Sequence, residues 1–180
     1  VAAGPAAATA ERPKPPNEQV RTLEAPGAPK GERPLRVSYE ADVFEPPRRV
    51  SSPPPGKETR ATVLEAYSAA FAANRAGDVE AIAGVFAPTE RDGVKARIDA
   101  DSLERNKQFF DSIVEEQVLE VIHYGEFRVC VVRSVMGDGQ SVMRDMPFVQ
   151  IDGQWWATNR LATDKSFNFV LEGIKEAYRE

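Results

Sequence analysis

One cysteine and one histidine serve a chain of 180 residues, and each scarcity excludes something. A lone Cys130 cannot form a disulfide within the chain. Its setting, Val129-Cys130-Val131-Val132, reads as a small buried hydrophobe. With His123 as the single imidazole, a zinc site lacks its ligands and no catalytic triad is spelled around it. Long apolar runs are missing too: nothing approaches the roughly 18 residues that a membrane-spanning helix requires. Clustered positive charge is absent from the second part of the chain, where residues 61–180 carry a net −7 against +2 for residues 1–60. A net-acidic domain is a poor match for nucleic acid. No metal and no cofactor is expected.

Proline is nearly absent after residue 55, since twelve of the fourteen lie in residues 1–55. That asymmetry divides the chain into an arm, residues 1–58, and a regular domain, residues 59–180. The opening Val1-Ala2-Ala3-Gly4-Pro5-Ala6-Ala7-Ala8 has neither a methionine nor a basic n-region with an apolar core. It reads as a mature terminus left after a targeting peptide, so an exported or organellar location is expected.

In the arm, Pro13, Pro15, Pro16, Pro26, Pro29 and Pro34 recur too often for a helix and remove amides that a sheet would use. An extended, polyproline-like spacer is expected. One stretch departs from it. Leu35, Val37, Tyr39, Ala41 and Val43 alternate with Arg36, Ser38, Glu40 and Asp42, the period-two pattern of a strand with one buried face. With Phe44 this makes a docking strand over residues 35–44, closed by Pro46-Pro47. It would pair with the protein's own sheet or with a partner's.

The domain reads as helices followed by a meander. Thr62 caps a helix carrying Val63, Tyr67, Ala70 and Phe71 on one face and ending at Gly77. Asp78 opens a second helix, stopped by Pro88. Asp101-Ser102-Leu103-Glu104 resembles a capping box before a third helix with Phe110, Ile113 and Val114. Strands are expected at Val118–Tyr124, Phe127–Met136, Ser141–Ile151 and Trp155–Leu161, joined by Gly- and Asp-Gly-rich turns. Asp164 begins a last helix, over 164–179, whose Phe167, Val170, Leu171, Ile174 and Tyr178 form a stripe that wants a partner surface. The fold class expected is α+β: helices on one face of a curved, four-stranded antiparallel meander, a cone-like roll, with an extra C-terminal helix and the extended arm.

Two segments resemble a known superfamily. Ala76-Gly77-Asp78-Val79-Glu80-Ala81-Ile82, followed by Val85-Phe86-Ala87, is similar to the helix junction of the nuclear-transport-factor-2-like superfamily. Phe148-Val149-Gln150-Ile151-Asp152-Gly153-Gln154-Trp155-Trp156 resembles its closing hairpin. The resemblance covers residues 61–162 and implies a hollow cone. Ketosteroid isomerases and polyketide cyclases of that superfamily place a carboxylate base and hydroxyl donors inside it, which points here to Tyr67 and Asp92. The position aligned with the isomerase base is Val94, and Pro88-Thr89-Glu90-Arg91-Asp92 reads as a polar turn, whereas a base needs desolvation and reach. Scytalone dehydratase-like relatives suggest His123 as a pocket base.

Further candidates come from the strands. Asp145 shares a face with Met143, Val149 and Ile151 and calls for a partner such as Arg160 or Arg133. Trp155 and Trp156 point to opposite faces, one into the core and one outward as a partner anchor. The catalytic candidates are thus Asp145, Tyr67, Asp92 and His123, and the ligand-pocket candidates Tyr67, Phe71, Phe110, Asp145 and Arg160. Partner binding is expected at Leu35, Val37, Tyr39, Val43, Phe44, Trp155, Trp156, Phe167, Leu171 and Tyr178. The function expected is that of a non-catalytic accessory subunit that docks protein partners through arm, sheet face and last helix, with a homodimer through the sheet face as one arrangement. The alternative is a small hydrophobic ligand, bound or turned over, in the cone.

Overall fold

Local signals set the helices. In α1 (Val63–Ala76) Thr62 and Glu65 form a reciprocal capping box, Thr62 Oγ1 accepting from the Glu65 amide at 3.2 Å and Glu65 from the Thr62 amide at 3.1 Å. The helix stops at Gly77, whose φ of 67° is left-handed and where a Cβ would press on the Lys107 side chain. Asp78 caps the short α2 (Val79–Gly84). A five-residue α3 (Arg91–Lys95) follows, then α4 (Ala100–Ser112). The cap of α4 is Asp99 with Ser102, rather than the expected box starting at Asp101. The computed structural model that shows this describes residues 18–24, 36–54 and 56–179.

Among the described residues the strands form one six-stranded antiparallel sheet in chain order. They are β1 (Glu18–Glu24), β2 (Arg36–Arg49), β3 (Ile113–Tyr124), β4 (Phe127–Met136), β5 (Ser141–Ile151) and β6 (Gln154–Ala157). The expected four-stranded cone is therefore corrected. The alternating stretch does pair with the chain's own sheet: β2 lies against β3, Ala41 opposite Ile122, and β1 pairs on its other side, Arg21 opposite Tyr39. β1 replaces the spacer expected there, while β2 covers the expected docking strand and runs past it to Arg49; Leu35 and the prolines from Pro13 to Pro34 lie outside the described residues. Pro46 and Pro47 do not end β2. They fall beyond the last β1 pair, Glu18 with Asp42, and inside a register shift between Val43 and Arg48. There a missing amide breaks no ladder.

The helices also depart from expectation, because they cover both faces of the sheet. On one face α1 and α4 bury Ala66, Tyr67, Phe71 and Phe110 against Val118, Val121, Cys130, Val132 and Phe148. On the other face α5 (Lys165–Ala177) buries Phe167, Leu171 and Ile174 against Leu119, Ile122, Val129 and Val131. Each such side chain stabilises the fold by about 1.5–3 kcal/mol. The stripe on the last helix thus finds its surface within the chain, on the sheet face expected to be free. No helix of the described residues is long and apolar enough to cross a membrane.

The nuclear-transport-factor-2-like resemblance fails with the cone. Its helix junction and closing hairpin form as local structures, the latter turning at Asp152 and Gly153 with φ of 51° and 77°. They sit in a wider sheet clad on both sides.

Strand β3 is the axis of the molecule. It begins at Ile113, five residues before the expected Val118, and a bulge at Leu119 shifts its register: Val118 faces Val132, yet Glu120 faces Val131. Because strand side chains alternate, this extra residue turns Glu116 and Glu120 to opposite faces.

Candidate functional site

A groove of about 480 Å³ runs between α5 and the β1–β3 end of the sheet. Its walls include Val37, Tyr39, Ile122, Phe167, Val170 and Ile174. Tyr124 stacks on Phe167 with ring centroids 4.5 Å apart, and its hydroxyl donates to Asp164 at 2.8 Å, the residue that caps α5. The groove also borders Glu40 and His123, but pairing opposite one another they stand on the face away from Ile122 and α5. His123 Nε2 lies 3.1 Å from Asp42 there. The groove is therefore mainly apolar, and among the described residues no acid–base pair is aimed along it.

Where the groove wall reaches Tyr39, a buried polar cluster begins. Glu120 has no exposed surface. It accepts from Arg21 at 2.8 Å and from the Tyr178 hydroxyl at 2.8 Å on Oε2, and from the Tyr39 hydroxyl at 3.2 Å on Oε1. Arg21 also donates to the Tyr178 hydroxyl. One carboxylate thereby ties β1, β2, β3 and α5 together. Burial first, and then the neighbouring Glu120 charge, push the Tyr39 and Tyr178 hydroxyls well above their ordinary pKa.

On the opposite face Glu116 holds a second cluster. Its Oε1 accepts from the Tyr67 hydroxyl and from Arg144 at 2.5 Å, while Arg144 Nε donates to Ser134 at 2.9 Å. The Arg144 guanidinium also lies 4.6 Å from the centre of the Phe110 ring. Burial, reinforced by Glu116 and opposed by Arg144, raises the Tyr67 pKa well above its ordinary value.

The structure brings Tyr67, Phe71 and Phe110 together, as the pocket expectation required, but around Glu116 and Arg144, which it did not name. Asp145 and Arg160 are elsewhere. Asp145 faces α5 and pairs with Lys175 at 2.8 Å, not with either expected arginine. Arg160 binds Glu126 at 2.7 Å, and Arg133 donates to the Tyr178 carbonyl. Asp92 is exposed on α3. Val43 is buried and Phe44 packs on the α1 side. Trp155 and Trp156 are both half-buried, and Trp156 is clasped by Arg60 and Arg91 at 4.2 and 4.8 Å. Strand β6 ends at Ala157 rather than Leu161, because Glu90 accepts from the Thr158 hydroxyl and the Asn159 amide and pulls the chain away.

Glu116 was missed because Ile113 and Val114 read as the end of a helix, which leaves Glu116 ahead of the expected strand, and Glu120 because its donors come from distant parts of the chain. The signal available was a glutamate inside the apolar run Val118-Leu119-Glu120-Val121-Ile122, which has to find donors if the run is a core strand.

No family model matches the chain, and no curated protein matches it. Among solved structures, a SEC-C motif containing protein from Rhodopseudomonas palustris is similar at 21% identity over 54% of this chain and 76% of that one, with a TM-score of 0.39. So slight a likeness carries no argument about fold or function.

Proposed function

We propose that this protein is a non-catalytic binding protein that takes a small apolar ligand in the groove beneath α5. The carrying observation is the groove itself: its volume of about 480 Å³ lies within the range of about 300–1,000 Å³ typical of small-molecule sites. Its walls are mainly aliphatic and aromatic, with Ser38, Glu40, His123 and Ser166 along its border, and the histidine pairs with Asp42 on the other face of the sheet. Transfer of an apolar body from water into such a groove supplies the affinity, and Tyr39 and Tyr124 offer the polar edges.

The test is fluorescence titration with N-phenyl-1-naphthylamine, whose emission rises in apolar surroundings. Saturable binding is expected, with Val170→Arg weakening it about tenfold or more by placing a charge on the groove wall. Equal binding by wild type and variant sinks the reading.

A second reading, docking of a partner protein, draws on one observation: β1 ends the sheet, so its outer backbone edge is unpaired among the described residues. A partner that adds a strand there protects the β1 amides from hydrogen exchange; unchanged exchange in the presence of a co-purifying protein removes that reading.

A further inference from the structure

The sheet has a second open border. Strand β6 pairs only with Phe148–Ile151 of β5, which runs on back to Ser141. Glu90 draws the chain off β5 after Thr158, and Pro147 cannot hold it there. Its carbonyl accepts from the Thr158 amide at 3.0 Å, but proline has no N–H to return the bond. Backbone groups along an antiparallel strand turn alternately to its two neighbours. Those of Gln140 turn to β4, its carbonyl accepting from the Met136 amide at 2.8 Å, and those of Pro147 turn to the β6 side. The β4–β5 register is unbroken from Phe127 opposite Val149 to Val135 opposite Ser141. The N–H and C=O of Met143 and Asp145 therefore face away from β4, and among the described residues no backbone group pairs with them.

A notch of about 290 Å³ opens where β6 leaves β5. Phe86 and Met146 wall it on the α1 side of the sheet, Leu161 and Phe167 on the α5 side. The line that a further strand would follow thus runs between two apolar walls. Unpaired donors and acceptors at strand spacing match an extended polypeptide, which repeats both at the same interval. Side chains define it further. A residue opposite Met146 meets Met146 and Phe86 and has to be apolar. The next, opposite Asp145, lies on the α5 side. There Lys175 is shared between Asp145 at 2.8 Å and Glu172 at 2.6 Å, so two carboxylates draw on one ammonium. Arg133, on the same face opposite Met143, donates to the Tyr178 carbonyl instead. A lysine or arginine complements that charge, its stem along Leu161 and Phe167 and its head on Asp145. We propose that the free half of β5 takes a peptide segment as an antiparallel seventh strand, with an apolar residue in the notch followed by a basic one opposite Asp145. The segment continues the ladder that β6 begins. It lies at the far border from β1 and does not depend on a ligand in the α5 groove.

The experiment is a chemical-shift titration of the ¹⁵N-labelled full chain with the capped peptide acetyl-Ser-Leu-Lys-Thr-Val amide. The Met143 and Asp145 amides are expected to shift saturably. Two control peptides, one N-methylated at the lysine and one with glutamate in its place, are each expected to bind about tenfold more weakly, for want of a ladder bond or a charge pair. Asp145→Pro removes an amide with no backbone partner in the chain, as Pro147 does two residues on, and is expected to abolish the response. Should Asp145→Pro fail to fold, Asp145→Asn decides: it is expected to erase the preference for the lysine peptide over the glutamate one. No saturable response, equal binding of the N-methylated peptide, or an undiminished lysine preference in Asp145→Asn overturns the proposal. Shifts confined to the β1 amides overturn it as well.

Discussion

Two glutamates four residues apart on β3 solve the same problem in different ways. Glu120 faces α5 and distributes its two oxygens over Arg21, Tyr39 and Tyr178, from three other elements. Glu116 faces α1 and gathers Tyr67 and Arg144 onto one oxygen, leaving the other unmatched. Both carboxylates are desolvated, which is costly without partners. The saturated one has the character of a structural clip, drawing β1 and α5 onto a sheet whose centre is apolar. The half-saturated one sits in the wall of a small cleft. Saturation therefore separates a residue that closes the fold from one that keeps an unmatched acceptor.

Removing each carboxylate should break the symmetry most visibly. Glu120→Ala strands Arg21 and two tyrosines and is expected to cost about 3–5 kcal/mol, read from the urea midpoint. Glu116→Ala should cost less, about 2–3 kcal/mol, because it strands one tyrosine rather than two and Arg144 keeps Ser134. The reverse order would refute the distinction. Replacing the whole α1-side cluster, as Tyr67→Phe with Glu116→Leu and Arg144→Met, should restore most of the loss, since the desolvation cost leaves with the charges.

Alkaline pH offers a second contrast. The hydroxyls of Tyr39, Tyr178 and Tyr67 all titrate above their ordinary value of 10.0, so the folded state holds these protons more tightly than the unfolded chain. The resulting stability is fully present below about pH 10 and is lost as pH rises through the folded values. Tyr39→Phe with Tyr178→Phe should flatten that decline more than Tyr67→Phe, in urea midpoints collected from pH 9 upward. Equal flattening would mean that the clusters hold their protons alike. At neutral pH, Tyr67→Phe alone is expected to cost about 1 kcal/mol. Smallest of all, Lys175→Met removes the pairs of a buried lysine with Asp145 and Glu172, both of which still reach solvent, and should shift the midpoint by about 1 kcal/mol.

Elements written in local chemistry were legible in the sequence. Thr62, Gly77, Asp78 and the Asp152-Gly153 turn each act within a few residues and form as read. The two long strands from Phe127 and Ser141 keep their expected bounds. What escaped was non-local. Pro46 and Pro47 look like terminators until the edge is seen to be free of β1. Ile113 and Val114 match a helix stripe as well as a strand, and only pairing with Met136 and its neighbours decides for β3. The apolar stripe of α5 announced a need for cover without saying that the far face of the same sheet would supply it. Of the site, Tyr67, Phe71 and Phe110 were readable from periodicity. Glu116 and Arg144 were not, because Glu116 fell before the expected start of its strand and the two meet only through pairing of distant segments.

The bulge at Leu119 in β3 does more than seat its own side chain. The chain must neutralise two carboxylates on β3, and a single inserted residue allots one to each layer. Deleting Leu119 would leave this unchanged, since Val118 and Glu120 already take consecutive β4 partners; pairing every residue from Glu116 to Glu120 regularly would restore even spacing and place both negative charges on the same side of the sheet. Arg21, Tyr39 and Tyr178 would then face an acceptor that had moved to the far side, while the helices of α1 and α4 inherited a second anion with no cation to match. The register of one ladder in this way acts as a charge transfer between two cores, with no charged residue altered.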